Sequence, residues 1–427
     1  MEIRELIVVG GGAAGIMAAI SAARQGVKVT LVEKMERLGR KIRITGKGRC
    51  NITNTKPWRE FSSHIHPNSN FFKHPFYSFS NTDTITLFND IGLKTIVERG
   101  ERVFPASGLA SDVVQFLSGE LSRLNVEVML NSRVTDIISE SESIKEVQIE
   151  DRVTGTKSVL RVSALILATG GLSYPLTGSD GDGHKIAQNL GHKVVDCHPS
   201  LTALMPADYN RVLEGLMLKN VEISLWAGKD LVQKEMGDLD FTNNGIEGSI
   251  GYKISRKAVK YLINGNRCSI TLDLKPAVNP DLLKNRIKRE IEKDSIKSIR
   301  LLLKKLLPSQ VIEPFLSYLN LKDYSLKSSP DDTINKIVES LKCWKMEIVS
   351  FTSYERAVIT AGGLSLDEII SKSMKSRLIS NLFFAGEIID LDGDTGGYNL
   401  QIAFSTGFTA GREAAAYIIR SREIVIE

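Results

Sequence analysis

The sequence predicts an α/β fold in which both ends of the chain build one lobe and the middle is inserted into it. Three stretches carry that prediction. Ile7-Val-Val-Gly10-Gly-Gly12-Ala-Ala-Gly15 runs from an apolar strand into a G-x-G-x-x-G turn. Val162 to Gly171 and Leu382-Phe-Phe-Ala-Gly-Glu387 repeat the design of an apolar run ending on glycines. Continuous apolar runs mark parallel strands buried on both faces, and all three would end on the edge of a sheet where ligands of open α/β folds bind.

Taken in order, Glu2 to Val9 is the first strand. Ala13 to Gln25 is alanine-rich, with Ile16, Met17 and Ile20 among small residues, and reads as a tightly packed helix. Gly26 caps it, and Val27 to Glu33 is the second strand, ending in an acid about 20 residues beyond the glycines. This is a complete βαβ unit of the dinucleotide-binding Rossmann type. Gly10 permits the tight turn, Gly12 lets backbone approach a pyrophosphate, and Gly15 allows close helix packing, while free N–H groups at the helix start face the phosphates. Glu33 suits a ribose diol and would repel a 2′-phosphate. The unit by itself fits either NAD or FAD.

Later features favour FAD, bound non-covalently. The 162–171 strand, with Gly170 in its turn, and the 382–387 strand, with Gly386 and Glu387, return the chain to the cofactor edge. A dehydrogenase that holds nicotinamide alone needs no such closure. Gly396-Gly397 can bring backbone beside an isoalloxazine, and Tyr398 to Gly411 reads as a helix whose N–H groups would face the N1–C2 carbonyl region, where a helix dipole favours an anionic reduced ring.

Four stretches give a resemblance to a known family: Gly39-Arg-Lys-Ile-Arg-Ile-Thr-Gly-Lys-Gly-Arg-Cys-Asn-Ile-Thr-Asn54, Arg102-Val-Phe-Pro-Ala-Ser107, Ala168 to Gly183, and Ala385 to Gln401. In them the chain resembles the bacterial flavoproteins known as aminoacetone-oxidase-family FAD-binding enzymes and 3-dehydro-bile-acid Δ(4,6)-reductases. The resemblance implies FAD contacts at Ala14, Glu33, Lys34, Arg40, Gly46, Asn51, Val134, Gly386, Asn399 and Leu400. Arg40 and Lys41 make sense as pyrophosphate or ribityl neighbours, and glycines in the 46–51 loop remove bulk near the ring. One departure stands out: where the family carries phenylalanine-threonine-histidine, this chain reads Phe241-Thr-Asn243.

The 427 residues, 42% of them hydrophobic, suffice for two or three domains. A net charge of +5 gives no special reason to invoke nucleic acid. Cys50, Cys197, Cys268 and Cys343 form no C-x-x-C pair, which argues against a disulfide framework, a zinc knuckle or a dithiol reductase and for a reducing cytoplasmic compartment. Charges and glycines interrupt every apolar stretch before it reaches membrane-spanning length. Nothing in the sequence specifies an oligomeric state.

Between the two halves of the lobe, His64-Ile-His66 through Phe79 shows no helical period and reads as a packed aromatic loop without a metal site. Ser111 to Leu124 is an amphipathic helix. Val126–Leu130 and Ser132–Ile138 read as a strand pair passing the adenine side, where Val134 can offer backbone hydrogen bonds. Residues 1–192 and 346–427 are expected to form the FAD lobe. The insertion, 193–345, divides into a β-rich, barrel-like part (193–278), with alternation at Ala203–Pro206, Val221–Ala227, Asp230–Thr242 and Cys268–Leu274, and a helical cap (279–345). In the cap, Pro280 to Leu307 has helical spacing with a basic outer face that reads as solvated.

A long insertion over a FAD site is expected to build the pocket for a small-molecule substrate. The sequence holds no second fingerprint, so NAD(P)H as electron donor would bind transiently against the flavin. The leading expectation is NAD(P)H-driven hydride transfer to a conjugated enone, small and apolar or steroid-like. The alternatives are an amine oxidase acting on aminoacetone-like amines with oxygen and, with least support, a tRNA-modifying flavoprotein. Tyr174, His184, Tyr398 and Arg49 stand near the motifs as candidate acids, none of them singled out as catalytic.

Overall fold

The computed structural model describes residues 3–293, 296, 298–320 and 331–426. These form two compact units: Met1–Pro199 with Tyr354–Glu427, and Ser200–Ser353.

The first unit is built on a nine-stranded sheet. At its centre Ile3–Val9 lies between Lys157–Leu167 and Val29–Val32, with Leu382–Phe384 beyond the former and Glu127–Met129 beyond the latter, all parallel. Leu6, Ile7, Val8, Leu165, Ile166, Leu167 and Leu382 are buried, as strands covered on both faces require. Lys157–Leu167 is one continuous strand: its first half pairs antiparallel with Ser143–Asp151, its second half parallel with Ile3–Val9. The expected pairing of 126–130 with 132–138 does not form. Glu127–Met129 joins Val29–Val32, Ser132–Glu140 joins Ser143–Asp151, and Asn131, at φ +53°, turns the chain between the two partners.

One face of the sheet is covered by helix Ala13–Ala23, against which the long C-terminal helix Tyr398–Ile426 packs at contact distance. A Cβ at Gly407 would lie 2.3 Å from the Ala14 carbonyl oxygen, and one at Gly411 2.1 Å from that of Ala18. Small residues four apart on one helix thus meet small residues four apart on the other. The two ends of the chain are joined here as well as in the sheet.

The aromatic stretch expected to be irregular is helical. Trp58–Phe61, Ser69–Ser78 and Asn81–Asp90 are helices, the last opened by a Ser80–Asp83 capping box. Phe61, Phe72 and Phe76 are buried and pack edge-on or tilted against one another, with Trp58 tilted against Phe72 and Phe76, at centroid distances of 5.0–6.4 Å.

The second unit contains a closed six-stranded barrel in the order Leu204–Pro206, Gly245–Glu247, Asp230–Thr242, Met217–Ala227, Cys268–Asp273, Trp344–Phe351. Alternating residues of these strands, among them Ile223, Leu225, Leu239, Phe241, Ile270 and Leu272, fill its core. Helix Gly248–Ile263 is an element the sequence reading lacked; the turn signal Asn264-Gly-Asn266 marks its end, with Gly265 at φ +75°. The single helix expected over 280–307 is two, Pro280–Lys293 and Ile299–Leu306, the second opened by Ser298; Asp294, Ser295 and Lys297 lie outside the described residues. Ser309–Leu319 and Asp331–Lys342 complete the helical layer, and the chain re-enters the first unit at Tyr354. Among the described residues no helix is long and apolar enough to cross a membrane.

Candidate functional site

The first strand delivers Gly10 at φ +106°, where a Cβ would come within 2.4 Å of the Ala168 carbonyl oxygen. Only glycine lets the fingerprint turn and the end of the neighbouring strand touch backbone to backbone. Gly15 lies so close under the turn that a Cβ would fall 1.8 Å from the Gly10 carbonyl oxygen, while a Cβ on Gly12 would meet nothing within 4 Å. Gly15 is thus small because the helix is packed, whereas nothing in the chain crowds Gly12.

The turn opens on a cleft of about 1010 Å³, open to solvent and lying wholly in the first unit. Its walls come from both chain ends. Gly10, Gly12, Ala14, Glu33 and Arg40 line it from the N-terminal half, Gly170 from the strand turn after Leu167, and Gly386, Glu387, Asn399 and Leu400 from the C-terminal segment. Lys34 and Val134 line an adjoining recess of about 380 Å³ that shares Gly10 and Glu33 with the cleft. Three of the expected contact residues line neither. Gly15 is turned into the helix packing just described. Gly46 (φ +58°) faces the Asn51 backbone and Phe104. Asn51, with its amide oriented to satisfy both ends, donates to the Thr53 carbonyl and accepts from the Gly397 N–H, both at 3.0 Å. It ties the glycine pair before the C-terminal helix to the N-terminal half.

Glu33 accepts from the Gly11 N–H at 2.6 Å with one oxygen and from the Met35 N–H at 2.8 Å with the other. Burial pushes its carboxyl up, against the pull of those two N–H groups and of Lys34 and Arg40. A carboxylate has about four acceptor positions, so capacity for a ribose diol remains. Lys34 binds Asp180 and Asp182, and Arg133 grips Asp182 with two bonds of 2.9–3.0 Å. Arg40 lies 2.7 Å from Glu36. At the C-terminal wall, the Asn399 side chain accepts from the Gly393 N–H and donates to the Gly393 carbonyl, both at 2.7 Å, and so fixes the helix start.

The candidate acids all lie off the cleft wall. Arg49 pairs with Glu98 and covers Phe104 at 4.5 Å. His184 is buried, its Nε2 3.0 Å from the Ile388 carbonyl, and burial lowers its affinity for a second proton. Tyr174 sits at φ +51° with its N–H on the Tyr354 carbonyl. Tyr398 is buried and stacks on His64 at 4.4 Å. His64 and His66 share one partner, Asp394, at 2.8 and 3.2 Å. Asn243 is exposed in the barrel hairpin of the second unit.

The sequence reading missed Thr169, Ser179, Val358 and Ile359, which also line the cleft. Thr169 stands in a wall shared by cleft and recess, with its Oγ1 buried against Gly183, where a Cβ would lie 1.9 Å from that oxygen.

This turn, acid and two-ended closure extend over a match to the family described as HI0933-like protein Rossmann domain, covering residues 4–413. The chain belongs to the HI0933-like family. Within its reach, this HI0933-like chain is 28% identical over 411 residues to a 3-dehydro-bile acid delta(4,6)-reductase of Clostridium scindens, covering 96% of this chain and 98% of that one. It is 29% identical over 417 residues to a ribosomal RNA dihydrouridine synthase of Haemophilus influenzae, covering 95% and 96%. Among solved structures, the 3-ketosteroid delta1-dehydrogenase of Sterolibacterium denitrificans superposes with a TM-score of 0.55 at 14% identity, covering 97% of this chain and all of the other. That likeness shows the fold, which is the Rossmann-type FAD-binding one with a barrel as its second part. This HI0933-like chain is an FAD-dependent oxidoreductase.

Proposed function

We propose that the chain reduces a carbon–carbon double bond conjugated to a carbonyl, with FAD held in the two-ended cleft and NAD(P)H as electron donor. The observation that carries this reading is the cleft itself: a fingerprint turn, an acid and a helix N-terminus meet there. Bound there, FAD supplies two-electron hydride chemistry.

The residues divide that work. Gly12 and the start of helix Ala13–Ala23 receive the pyrophosphate, and Glu33 takes the ribose. Lys34 and Val134 border the recess that suits the adenine. Asn399 and Leu400, held by the Asn399–Gly393 pair, present the first turn of the C-terminal helix to the ring, where its dipole favours negative charge.

A small apolar or steroid-like enone is the substrate class proposed first, in line with the name of the Clostridium scindens relative. A second reading is favoured by the Haemophilus influenzae relative and by the distribution of charge. A uracil ring is also an electron-poor alkene conjugated to a carbonyl, and its reduction gives dihydrouridine. All of the net positive charge falls in residues 200–353, which hold 24 Lys and Arg against 19 Asp and Glu, whereas the rest of the chain holds 31 of each. A net charge of this sign favours phosphate backbones.

Anaerobic mixing of the yellow protein with NADH and NADPH tests the donor, since rapid bleaching is expected from one of them. Turnover of the reduced protein with a conjugated steroid dienone supports the first substrate class; dihydrouridine in an RNA transcript, with binding that weakens steeply in salt, supports the second. Peroxide formed from aminoacetone without nicotinamide would overturn the proposal.

A further inference from the structure

Lys41 and Glu387, from opposite ends of the chain, meet in the wall of the cleft. The Lys41 Nζ donates to Glu387 Oε2 at 2.7 Å and to Ser173 Oγ at 2.8 Å. Ser173 Oγ donates to Glu387 Oε1 at 2.6 Å, and the Thr360 N–H reaches the same oxygen at 2.8 Å. Thr360 Oγ1 in turn accepts from the Leu172 and Ser173 N–H groups, and both Ser173 and Thr360 are fully buried. Three protein donors therefore occupy Glu387, which has little capacity left for a ligand.

Lys41 is the opposite case. An ammonium has three donors, two of these are used, and the side chain lines the cleft. We propose that Lys41 is a cofactor-binding residue and that Glu387, expected to touch the cofactor, instead positions Lys41. The third N–H and the charge face the oxygens of the diphosphate–ribityl linker. Because Glu387 and Ser173 already hold the flexible lysine stem, its rotamer freedom is not lost again on binding. Ser173 completes the arrangement by accepting from lysine and donating to glutamate through one hydroxyl.

This inference rests on the reading that FAD fills the cleft, and one titration separates the two. FAD is titrated onto the cofactor-stripped full chain and followed by quenching of flavin fluorescence. The comparison includes Lys41→Met, Glu387→Gln and the double variant, with melting of each stripped protein recorded in parallel. Wild type that binds no FAD refutes the underlying reading. If wild type binds, Lys41→Met is expected to raise Kd roughly ten- to a hundredfold, the loss of one charge-assisted hydrogen bond. Glu387→Gln is expected to raise it less, and to add nothing on top of Lys41→Met. Should Lys41→Met fail to fold, the double variant, which leaves no unpaired buried carboxylate, must show the same loss. Affinity within twofold of wild type in Lys41→Met or in the double variant overturns the proposal. So does a Glu387→Gln effect that is undiminished in the Lys41→Met background, since Glu387 would then act on the cofactor directly.

Discussion

Gly411→Ala tests how tightly the two chain ends are joined. The new Cβ would lie 2.1 Å from the Ala18 carbonyl oxygen and 2.9–3.0 Å from the carbonyl carbon and Cα of the same residue. These are backbone atoms, so no rotamer change relieves the clash; the helices must part by about 1 Å to restore ordinary contact, forfeiting a quarter to half of the dispersion energy along the seam. Overpacking of this kind costs about 1–3 kcal/mol. Against it stands a gain of about 1 kcal/mol from replacing glycine by alanine inside a helix. Where separation spreads to the Gly407–Ala14 contact, the cost lies at the upper end, and net destabilisation of about 1–2 kcal/mol is expected. Gly119→Ala is the control: Gly119 is exposed in helix Ala110–Arg123 and its Cβ would meet nothing within 4 Å, so the propensity gain appears alone. Urea unfolding of the stripped protein reads both. Gly411→Ala as stable as Gly119→Ala would refute the close-crossing argument.

Other outcomes follow from the same geometry. Glu33→Gln keeps one carbonyl oxygen where two carboxylate oxygens now take the Gly11 and Met35 N–H groups, so FAD affinity should fall by about tenfold, read by the same fluorescence titration. Burial tends to raise the Asp394 carboxyl, yet the bonds from His64 and His66 hold it far below the usual range. The stabilisation from that lowered value is complete above the unfolded aspartate range near pH ~3.9 and is lost as pH falls below it. Asp394→Asn should therefore show a flatter loss of stability in acid titration monitored by circular dichroism. A thiol reagent at mildly alkaline pH should modify exposed Cys343 first. Burial pushes Cys50 up to about 12 and Cys197 to about 11, so mass spectrometry should find Cys50 unmodified until denaturant is added.

The parts of the fold written in local pattern were legible. The fingerprint turn declares itself because each glycine has a separate steric reason, and the parallel strands because burial on both faces leaves no polar alternation. The barrel was legible from alternation in Val221–Ala227 and Asp230–Thr242. What failed depends on partners distant in sequence. Glu127–Met129 looked like the neighbour of Ser132–Ile138, but its mate is Val29–Val32. The aromatic 64–79 stretch hid helix Ser69–Ser78 because Pro75 and crowded rings obscured the period. The bond of the Asn51 amide to Gly397 likewise joins residues distant in sequence and leaves no local pattern. Thr169 gave no signal, since its place in the cleft wall exists only once its surroundings have closed around it.

The most direct test of the central claim is the stoichiometry of FAD binding to the purified full-length chain after reconstitution and removal of excess cofactor. One cleft gripped by both termini predicts one tightly held FAD per chain, with the yellow flavin absorbance band and strongly altered flavin fluorescence. Protein that stays colourless after exposure to FAD would contradict it.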